Sequence, residues 1–590
     1  MTRFEVWAPA AARVELDLGD RLLPMNQDTD AGGWWWAEAD DAAVNDTAFA
    51  DAAIDYTFRI DGGPPRPDPR SQRQPHGVHG PSRVDRPEAF PWQDESWRGR
   101  PLRGSVIYEL HIGTFTPEGT FDAAVDRLDH LIALGIDFVE LMPVAAFNGV
   151  HGWGYDGVDL WAVHEPYGGP DGLRRFVDAC HTRGLGVLLD VVYNHLGPSG
   201  NYLAEYGPYF TDRHVTPWGA AVNLDGPGSD EVRAYLIQNA LYWLRENHLD
   251  GLRLDAVHAL ADTRALHLLQ ELSGAVDELA SATGRRLHLI AETDRNDPMT
   301  VTPRQLGGKG VHAQWCDDVH HALHGALTGE RQGYYCDFGS MSAIAKVLTS
   351  AFFHDGTYSA FRGRRHGRPV DTAALDADRF IVSLQTHDQV GNRATGDRIG
   401  AALSEGLRRV GAALLLTAPF TPQLFMGEEW GAGTPWQFFS DHPEPELAAA
   451  IRNGRRAEFG RHGWPPESVP DPQDPKTFAR SILDWTEPAR EPHQDLLAWY
   501  RSLIALRRER PELSDPRFAS VDVYFDEEER WILVRRSSLR VAANLSGEPR
   551  KVRLERDAAS SSILLASDPR IESGDDHVRL PPESVAVISG

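Results

Sequence analysis

Two carboxylates end short apolar runs that have the length and composition of buried strands. Asp255 ends the run GLRLD (251 to 255), and Glu292 ends the run LHLIAE (287 to 292). Hydrolysis of a glycosidic bond with retention needs a carboxylate that attacks the anomeric carbon and a carboxylic acid that protonates the leaving oxygen, about 5 to 5.5 Å apart. The two runs therefore offer Asp255 and Glu292 as candidates for such a pair.

Neighbouring residues support these two roles. Arg253 precedes Asp255 by two positions, so strand alternation places both side chains on one face, where the guanidinium would orient the carboxylate and keep it ionised. The apolar surroundings of Glu292 predict a raised pKa, as a proton donor requires. Asp388 follows His387 at the end of another apolar run, RFIVSLQTHD (379 to 388), and could hold sugar hydroxyls. Three acidic strand ends thus point to one site.

Eight such runs alternate with amphipathic helical stretches between residues 105 and 429. Each is apolar in its first half and polar at its end, which is typical of parallel barrel strands that deliver side chains to the carboxyl-terminal rim. The sequence therefore predicts an α/β fold, a (β/α)₈ TIM barrel with the site on that rim. The predicted strands are SVIYELHI (105 to 112), DFVELMPV (137 to 144), GVLLDVVYN (186 to 194), GLRLDAV (251 to 257), LHLIAET (287 to 293), GVHAQWCDD (310 to 318), RFIVSLQTHD (379 to 388) and PQLFMGEE (422 to 429).

The patterning differs on both sides of the barrel. Short alternating runs between residues 4 and 60 predict an N-terminal β-sandwich, and the Pro-, Gly- and Arg-rich segment 61 to 104 predicts an extended linker. Alternating runs return in the tail as SVDVYFDE, RWILVRRSS, RVAANLSG and KVRLERD, which predict a C-terminal β-sandwich. We expect three domains: the sandwich and linker (1–98), the catalytic barrel (99–511) and the C-terminal sandwich (512–590).

Composition excludes several classes of partner. The 59 basic and 86 acidic residues give a formal charge of −27, which repels nucleic acid and anionic membrane surfaces but suits a neutral, polyhydroxylated substrate. The three cysteines, Cys180, Cys316 and Cys336, are too few for a disulfide framework and predict a reducing compartment, the cytoplasm. The start MTRFEVWAPAA lacks the pattern of a signal peptide, and no apolar run approaches the ~18 residues of a membrane span. We therefore expect neither export nor membrane insertion.

Four segments in order resemble the signature segments of the α-amylase superfamily of glycoside hydrolases: DVVYNH (190 to 195), GLRLDAVH (251 to 258), IAET (290 to 293) and THDQVGN (386 to 392). The resemblance implies that Asp255 is the nucleophile, Glu292 the proton donor and Asp388 the carboxylate that stabilises the transition state. It implies that Asn194 and Arg253 support the nucleophile. The substrate-binding residues that it implies are Trp153, Tyr155, His195, Arg253, His258, His387 and Gln389.

Three further segments resemble a branch of that superfamily that hydrolyses the α-1,4 bond next to the terminal trehalose of maltooligosyl-trehalose. They are FEVWAPAAARVEL (4 to 16), NHLGPSGNYLAEYGPYFT (194 to 211) and WCDDVHHALH (315 to 324). The resemblance implies that Asp317, Asp318 and His321 lie on the leaving-group side and bind the trehalose unit. With Trp153 and Trp218 as rim aromatics that stack on sugar, we expect maltooligosyl-trehalose and other α-glucan oligosaccharides as partners.

Other interpretations stay open at this point. A glycogen branching or debranching enzyme shares the sandwich, the barrel and the four segments and differs only in its acceptor-side loops. A non-catalytic carbohydrate-binding barrel is the alternative of another class, although the intact Asp255, Glu292 and Asp388 argue against it. His320 and His324 lie four residues apart behind two aspartates and could bind a metal ion, but the proposed chemistry needs none. We expect no metal and no cofactor.

Overall fold

A closed barrel of eight parallel strands forms the centre of the computed structural model, which describes residues 2–28, 32–39, 53–461, 465–554, 562–574 and 576–589. Strands that follow one another along the chain are neighbours in the barrel, and the eighth pairs with the first through Gln423 and Ile107. Each of the eight predicted runs supplies one strand, so the predicted (β/α)₈ barrel is confirmed. The strands are Ile107–Leu110, Phe138–Leu141, Gly186–Val191, Gly251–Leu254, His288–Ala291, Ala313–Trp315, Phe380–Ser383 and Thr421–Phe425.

The strands are shorter than the apolar runs, because the polar end of each run already belongs to the rim. The ladder nevertheless continues past the fourth and fifth strands. The Asp255 N–H donates to the Val191 carbonyl at 3.0 Å, and the Glu292 N–H donates to the Leu254 carbonyl at 2.9 Å. The backbones of the two predicted catalytic residues are therefore held by the barrel itself.

Helices surround the barrel and bury one apolar face against it. Leu268–Thr283 is typical: its inward residues include Leu268, Leu272 and Val276, at spacings of four. The longer helices are Gly169–Thr182, Ser229–Glu246, Leu268–Thr283, Asp317–Thr328, Met341–Ser350, Glu405–Leu416, Pro445–Arg461 and His493–Glu509. The shorter ones are Ile112–Phe115, Phe121–Val125, Leu128–Leu134, Leu203–Tyr206, His387–Gly391, Ile399–Ala402, Pro475–Arg480 and Pro511–Ser514.

Three small antiparallel hairpins lie in the loops between the barrel strands. They are Ala145–Ala146 with Asp159–Val163, Phe210–Thr216 with Gly219–Val222, and Tyr358–Ser359 with Arg364–Arg365. The second carries Trp218, and the third lies between Met341–Ser350 and the seventh barrel strand. These insertions shape the rim above the barrel.

Two antiparallel sheets precede the barrel. One contains Thr2–Trp7, Trp34–Ala39 and Asn26–Gln27, and the other contains Leu22–Pro24, Val14–Asp17, Asp55–Ile60 and Ser82–Arg83. The predicted extended linker, 61 to 104, is instead folded onto its surroundings: Arg66 exchanges backbone hydrogen bonds with Phe58, and buried Asp68 accepts from the Tyr56 hydroxyl at 2.8 Å. A Pro- and Gly-rich composition excludes long helices and strands but does not prevent burial.

Two antiparallel sheets follow the barrel. Val521–Asp526, Trp531–Arg536, Leu539–Asn544, Ser584–Ser589 and Ser562–Ala566 form one, and Arg550–Arg553, His577–Leu580 and Glu572–Ser573 form the other. Residues 555 to 557 of the predicted run KVRLERD lie outside the described residues. The division at residues 98 and 511 stays a prediction.

The three cysteines all lie in the described part of the chain. Cys180 and Cys316 are buried, Cys336 is exposed, and none of the three is in a disulfide. Within the described ranges, no helix has the length and apolar character needed to cross a membrane.

Candidate active site

Asp255 lies immediately after the fourth barrel strand and is held on both carboxylate oxygens. Arg253 Nη1 donates to Oδ1 at 2.8 Å, and Asn194 Nδ2 donates to Oδ2 at 2.7 Å. Arg253 is itself fully buried, and its Nη1 also donates to both oxygens of Asp190 at 2.9 Å. A guanidinium held in this way stabilises the negative charge of Asp255 and fixes the direction of its carboxylate, as a nucleophile requires.

Glu292 lies at the end of the fifth strand, beside Asp255. Its Oε2 accepts the Ala256 N–H at 2.6 Å, and it lies 4.0 Å from Arg253 Nη2. Burial raises the pKa of Glu292 to about 8; the Asp255 and Asp388 carboxylates add to this effect and Arg253 opposes it. Glu292 therefore carries a proton at neutral pH, which is the state that a general acid needs.

Ala256, between the two carboxylates, has the left-handed backbone angles φ 39° and ψ 49°. A residue with a Cβ adopts this region at an energetic cost. Here that conformation directs the Ala256 N–H at Glu292. The strained residue thus links the backbone beside Asp255 to the carboxyl group of Glu292.

Asp388 was predicted to end the seventh strand, and this part of the prediction is wrong. The strand stops at Ser383, and Asp388 lies in the short helix His387–Gly391, whose first turn is capped by Thr386. The Asp388 side chain is 43% exposed, with Oδ1 3.5 Å from His387 Nε2 and 3.2 Å from Asn392 Nδ2. It is the most accessible of the three carboxylates, as a group that binds sugar hydroxyls should be.

Tyr155, His195 and His387 meet beside these carboxylates, as predicted for the first sugar subsite. The Tyr155 ring stacks on His387 at 5.1 Å, and its hydroxyl donates to Asp190 Oδ2 at 2.5 Å. His195 Nδ1 lies 2.5 Å from Asn194 Oδ1, and the His195 ring is stacked under Trp218 at 4.6 Å and 2°. Trp218 is 48% exposed and offers its outer surface to a ligand.

Trp153 does not have the open face that a sugar-stacking residue needs. It is buried, its ring stacks on Trp436 at 4.5 Å, and its Nε1–H donates to the Gln437 carbonyl at 3.0 Å. Its edge meets the His387 ring at 5.9 Å. Trp153 therefore packs the rim behind His387, which differs from the predicted stacking on substrate.

The predicted trehalose-binding acids have different surroundings. Asp318 is buried, and its Oδ2 accepts the backbone N–H groups of Phe353 and His354 at 2.8 and 2.9 Å and Asn296 Nδ2 at 2.7 Å. It therefore anchors a loop, in contrast to its predicted role.

Asp317 lies closer to the catalytic groups than Asp318 does. Burial raises the pKa of Asp317; His321 opposes this effect and Asp388 adds to it. His321 packs between Tyr334 and Phe338 at 4.8 and 5.1 Å.

The two remaining predicted binding residues have structural contacts of their own. Gln389 Oε1 accepts the Thr386 N–H at 2.7 Å and the Thr386 hydroxyl at 2.5 Å, and so caps the helix that carries Asp388. The backbone carbonyl of His258 accepts Arg295 Nη2 at 2.7 Å, and burial lowers the pKa of its ring. Gln389 directly follows Asp388, and His258 lies three positions after Asp255. Contact of either residue with substrate stays a prediction.

Sequence reasoning missed two groups around the site. Glu109 and Asp190 are buried acids that bind His387, Tyr155 and Arg253. The sequence signal for both was a carboxylate inside an apolar strand run.

The second group lies on the rim. Tyr334 contacts His321 and Phe361, and Arg362 lies 3.5 Å from Asp294. Tyr334, Phe361 and Arg362 belong to insertions whose sequence has no strand or helix periodicity, so no pattern marked them in advance.

The histidines of the proposed metal alternative are bound to protein groups. His320 Nδ1 and Nε2 lie 2.7 Å from the Leu384 carbonyl and 2.8 Å from the Tyr335 hydroxyl, and His324 Nε2 lies 2.8 Å from Glu330. Over the described part of the chain, no group of three His, Cys, Asp or Glu side chains is arranged to bind a metal ion.

Comparisons with known proteins agree with this geometry. The α-amylase catalytic-domain family matches residues 49–213, and a domain family of unknown function, DUF3459, matches residues 516–587. The malto-oligosyltrehalose trehalohydrolase of Rhizobium sp. (strain M-11) is 54% identical over 592 residues, covering 99% of this chain and 97% of that protein. The chain belongs to the malto-oligosyltrehalose trehalohydrolase family. The trehalohydrolase of Mycobacterium tuberculosis (strain H37Rv) is 52% identical and covers 100% of this chain and 99% of its own length.

A solved structure of a candidate alpha amylase from Salmonella typhimurium matches the whole chain with a TM-score of 0.89 at 38% identity and is itself covered to 97%. Together with the trehalohydrolases, it shows that the chain is a glycoside hydrolase of the α-amylase type. The trehalohydrolase interpretation is thereby supported over a branching or debranching enzyme and over a non-catalytic barrel.

Proposed function

We propose that this trehalohydrolase-family chain hydrolyses the α-1,4 bond next to the terminal trehalose of maltooligosyl-trehalose, with retention, and releases trehalose. The observation that carries the proposal is the pair of carboxylates on adjacent strand ends. Asp255 is oriented by Arg253 and Asn194, and Glu292 is buried and protonated beside it. Names of relatives that match almost the whole chain support the trehalose part of the proposal.

The first step forms a covalent intermediate. An Asp255 oxygen attacks the anomeric carbon while Glu292 gives its proton to the leaving oxygen, so that trehalose departs with a complete hydroxyl and the glucan becomes β-linked to Asp255. Asp388, the exposed carboxylate of the three, would hold the sugar hydroxyls as the ring flattens. The second step reverses the roles: Glu292 takes a proton from water, whose oxygen displaces Asp255 and restores the α configuration.

We assign the trehalose unit to the side of the site that carries Asp317, His321 and Tyr334. Asp317 lies near Glu292, whose pKa it helps to raise, and the family resemblance implies that Asp317 and His321 lie on the leaving-group side. Tyr334 and Phe361 provide aromatic surface there, and Phe361 is 50% exposed. Trehalose is neutral and rigid, so stacking on aromatic rings and hydrogen bonds to carboxylates suit its recognition.

The proton on Glu292 predicts the alkaline limit of activity. A carboxyl group whose pKa is raised to about 8 is a competent acid below that pH and loses its proton above it. We expect kcat/KM for trehalose release to be steady between about pH 6.5 and 7.5 and to fall about tenfold per pH unit above 8. The measurement is a pH profile of initial rates with maltopentaosyl-trehalose.

α-Maltosyl fluoride is the matched control for that profile, because fluoride leaves without a proton from the enzyme. The alkaline fall should be much weaker for its first step. Equal falls for both substrates would show that a group other than the proton donor sets the alkaline limit.

The proposed substrate can be tested directly by product analysis. Purified protein is incubated with maltopentaosyl-trehalose, with maltohexaose and with glycogen, and the products are separated by chromatography. We expect free trehalose from the first substrate and little change in the other two. Changed branching of glycogen without release of trehalose would move the assignment to a branching or debranching enzyme.

We also propose the cytoplasm as the site of action. The support is the sparse set of three cysteines, none of which is in a disulfide. The negative charge of −27 is compatible with a neutral oligosaccharide as the partner.

A further inference from the structure

Glu109, on the first barrel strand, is a buried carboxylate that the proposed mechanism does not use. It is 1% exposed and makes two contacts with one residue, His387. Its Oε1 lies 2.5 Å from His387 Nδ1, and its Oε2 accepts the His387 backbone N–H at 3.0 Å. The carboxylate thus holds both the ring and the backbone of a residue that lies four positions beyond the seventh strand.

The directions of the surrounding hydrogen bonds define the protonation state of the His387 ring. Asp190 accepts from Arg253 on both oxygens, so it is an ionised acceptor, and the Tyr155 hydroxyl must use its single proton to donate to it. The Tyr155 oxygen can then only accept from His387 Nε2, which lies 2.7 Å away. The ring therefore carries a proton on Nε2 towards Tyr155. Asp388 and Glu109 raise the pKa of His387 to about 9 against burial, so the ring carries a second proton on Nδ1, 2.5 Å from Glu109.

We propose that Glu109 is a positioning residue that keeps His387 as an imidazolium, oriented towards the first sugar subsite beside Asp388. It acts through His387 and does not touch substrate. A permanent cation at this position stabilises the charge of Asp388, and its Nε2–H holds the hydroxyl of Tyr155 in place. The inference rests on the proposed function, because it concerns the sugar-binding side of the same site.

Charged groups from several strands face His387. Among them, Glu109 contacts Nδ1, the ring nitrogen on the side away from the sugar subsite. Asp388 lies 3.5 Å from Nε2, and Asp190 reaches the ring through Tyr155. Glu140 is a further nearby acid, and burial raises its pKa well above the usual range, with Glu109 adding to the effect. Arg253 is the nearby cation and disfavours the imidazolium. Burial lowers the pKa of His111 to about 4, so that ring is neutral. Without Glu109, Asp388 would remain to favour the charge on His387 against burial and Arg253.

The test compares Glu109→Gln with the wild-type protein. The amide has the same shape but no charge, so we expect kcat/KM for trehalose release to fall about 10- to 100-fold, mostly through a higher KM. Asp388 and Glu109 outweigh burial and raise the pKa of His387 to about 9. Loss of Glu109 lowers that pKa. The alkaline fall in the first step with α-maltosyl fluoride, which does not need the proton of Glu292, should therefore begin at a lower pH than in the wild-type protein. An unchanged alkaline fall with unchanged KM would overturn the proposal.

A double-mutant cycle separates positioning from a general structural effect. If Glu109 acts through His387, then Glu109→Gln should change kcat/KM less than about twofold in a His387→Gln background. An equally large loss in both backgrounds would show that Glu109 acts by another route. Glu140→Gln is the matched control: it replaces a neighbouring buried acid whose side chain bonds to Gln423 instead of His387, and we expect activity within about twofold of wild type.

A second variant keeps the proposal testable if Glu109→Gln does not fold. Glu109→Asp retains the charge but shortens the side chain by one methylene. The carboxylate can then no longer reach both Nδ1 and the backbone N–H of His387. We expect about a tenfold loss of kcat/KM, and full activity would overturn the positioning role. If the wild-type protein released no trehalose, the proposed function would fail instead, independently of these comparisons.

Discussion

Replacing Asp255 by asparagine is expected to lower the rate of trehalose release by about four orders of magnitude or more. An amide cannot form the covalent glycosyl intermediate, because its nitrogen and oxygen are poor nucleophiles. The fold should survive, since Arg253 keeps its two hydrogen bonds to Asp190 and the backbone of residue 255 remains in the barrel ladder. The measurements are kcat with maltopentaosyl-trehalose and the thermal midpoint of unfolding.

Asp230→Asn provides the matched control for this variant. Its side chain is 87% exposed on the helix Ser229–Glu246, where it pairs with Arg264. Wild-type activity is expected, because exposed ion pairs contribute little to stability and this one lies outside the site. An Asp255→Asn protein that retains more than about one per cent of wild-type activity would contradict the assignment of the nucleophile.

The barrel and its two central carboxylates could be predicted because strand periodicity is local. Asp255 and Glu292 follow their apolar runs at once, and the barrel ladder fixes their backbones through Val191 and Leu254. A residue one step past a parallel strand must lie at the carboxyl-terminal rim. The placement of Asp255 and Glu292 at the rim can therefore be predicted without knowing the surrounding loops.

The predictions failed where a residue's role depends on partners that are distant in the chain. Trp153 and Asp318 have the residue types of binding groups, but Trp436 covers one and the amides of Phe353 and His354 bind the other. Asp388 is displaced from its strand because Thr386 starts a new helix turn. Local patterns give the element and its approximate end, whereas the neighbours of a side chain are set by tertiary packing.

Glu109 illustrates the same limit, because its role also depends on a partner that is distant in the chain. Nothing in the sequence run SVIYELHI indicates that its glutamate is paired with a histidine 278 positions later. A charge inside a buried strand must be paired or neutral, so the sequence could predict that a partner exists but not which one. The closure of the barrel, which makes the first strand a neighbour of the eighth, brings Glu109 to His387.

Replacing Glu292 by alanine is expected to slow trehalose release by about two to four orders of magnitude, because the leaving oxygen of trehalose then departs without a proton. The same variant should still react with α-maltosyl fluoride in the first step, since fluoride needs no acid. It should then accumulate the glycosyl-enzyme, because water lacks its base. The measurements are steady-state rates with both substrates and the mass of the protein after rapid denaturation.

Azide distinguishes the two carboxylates by stereochemistry. In Glu292→Ala it can enter the space of the missing acid and displace Asp255 from the intermediate, which gives maltosyl azide of the α configuration. In Asp255→Ala, azide can only take the place of the nucleophile on the opposite face of the sugar, which gives the β configuration. Proton nuclear magnetic resonance of the product resolves the two anomers. The same anomer from both variants, or the reverse pattern, would mean that the two residues have been assigned the wrong roles, even if each variant is inactive on the natural substrate.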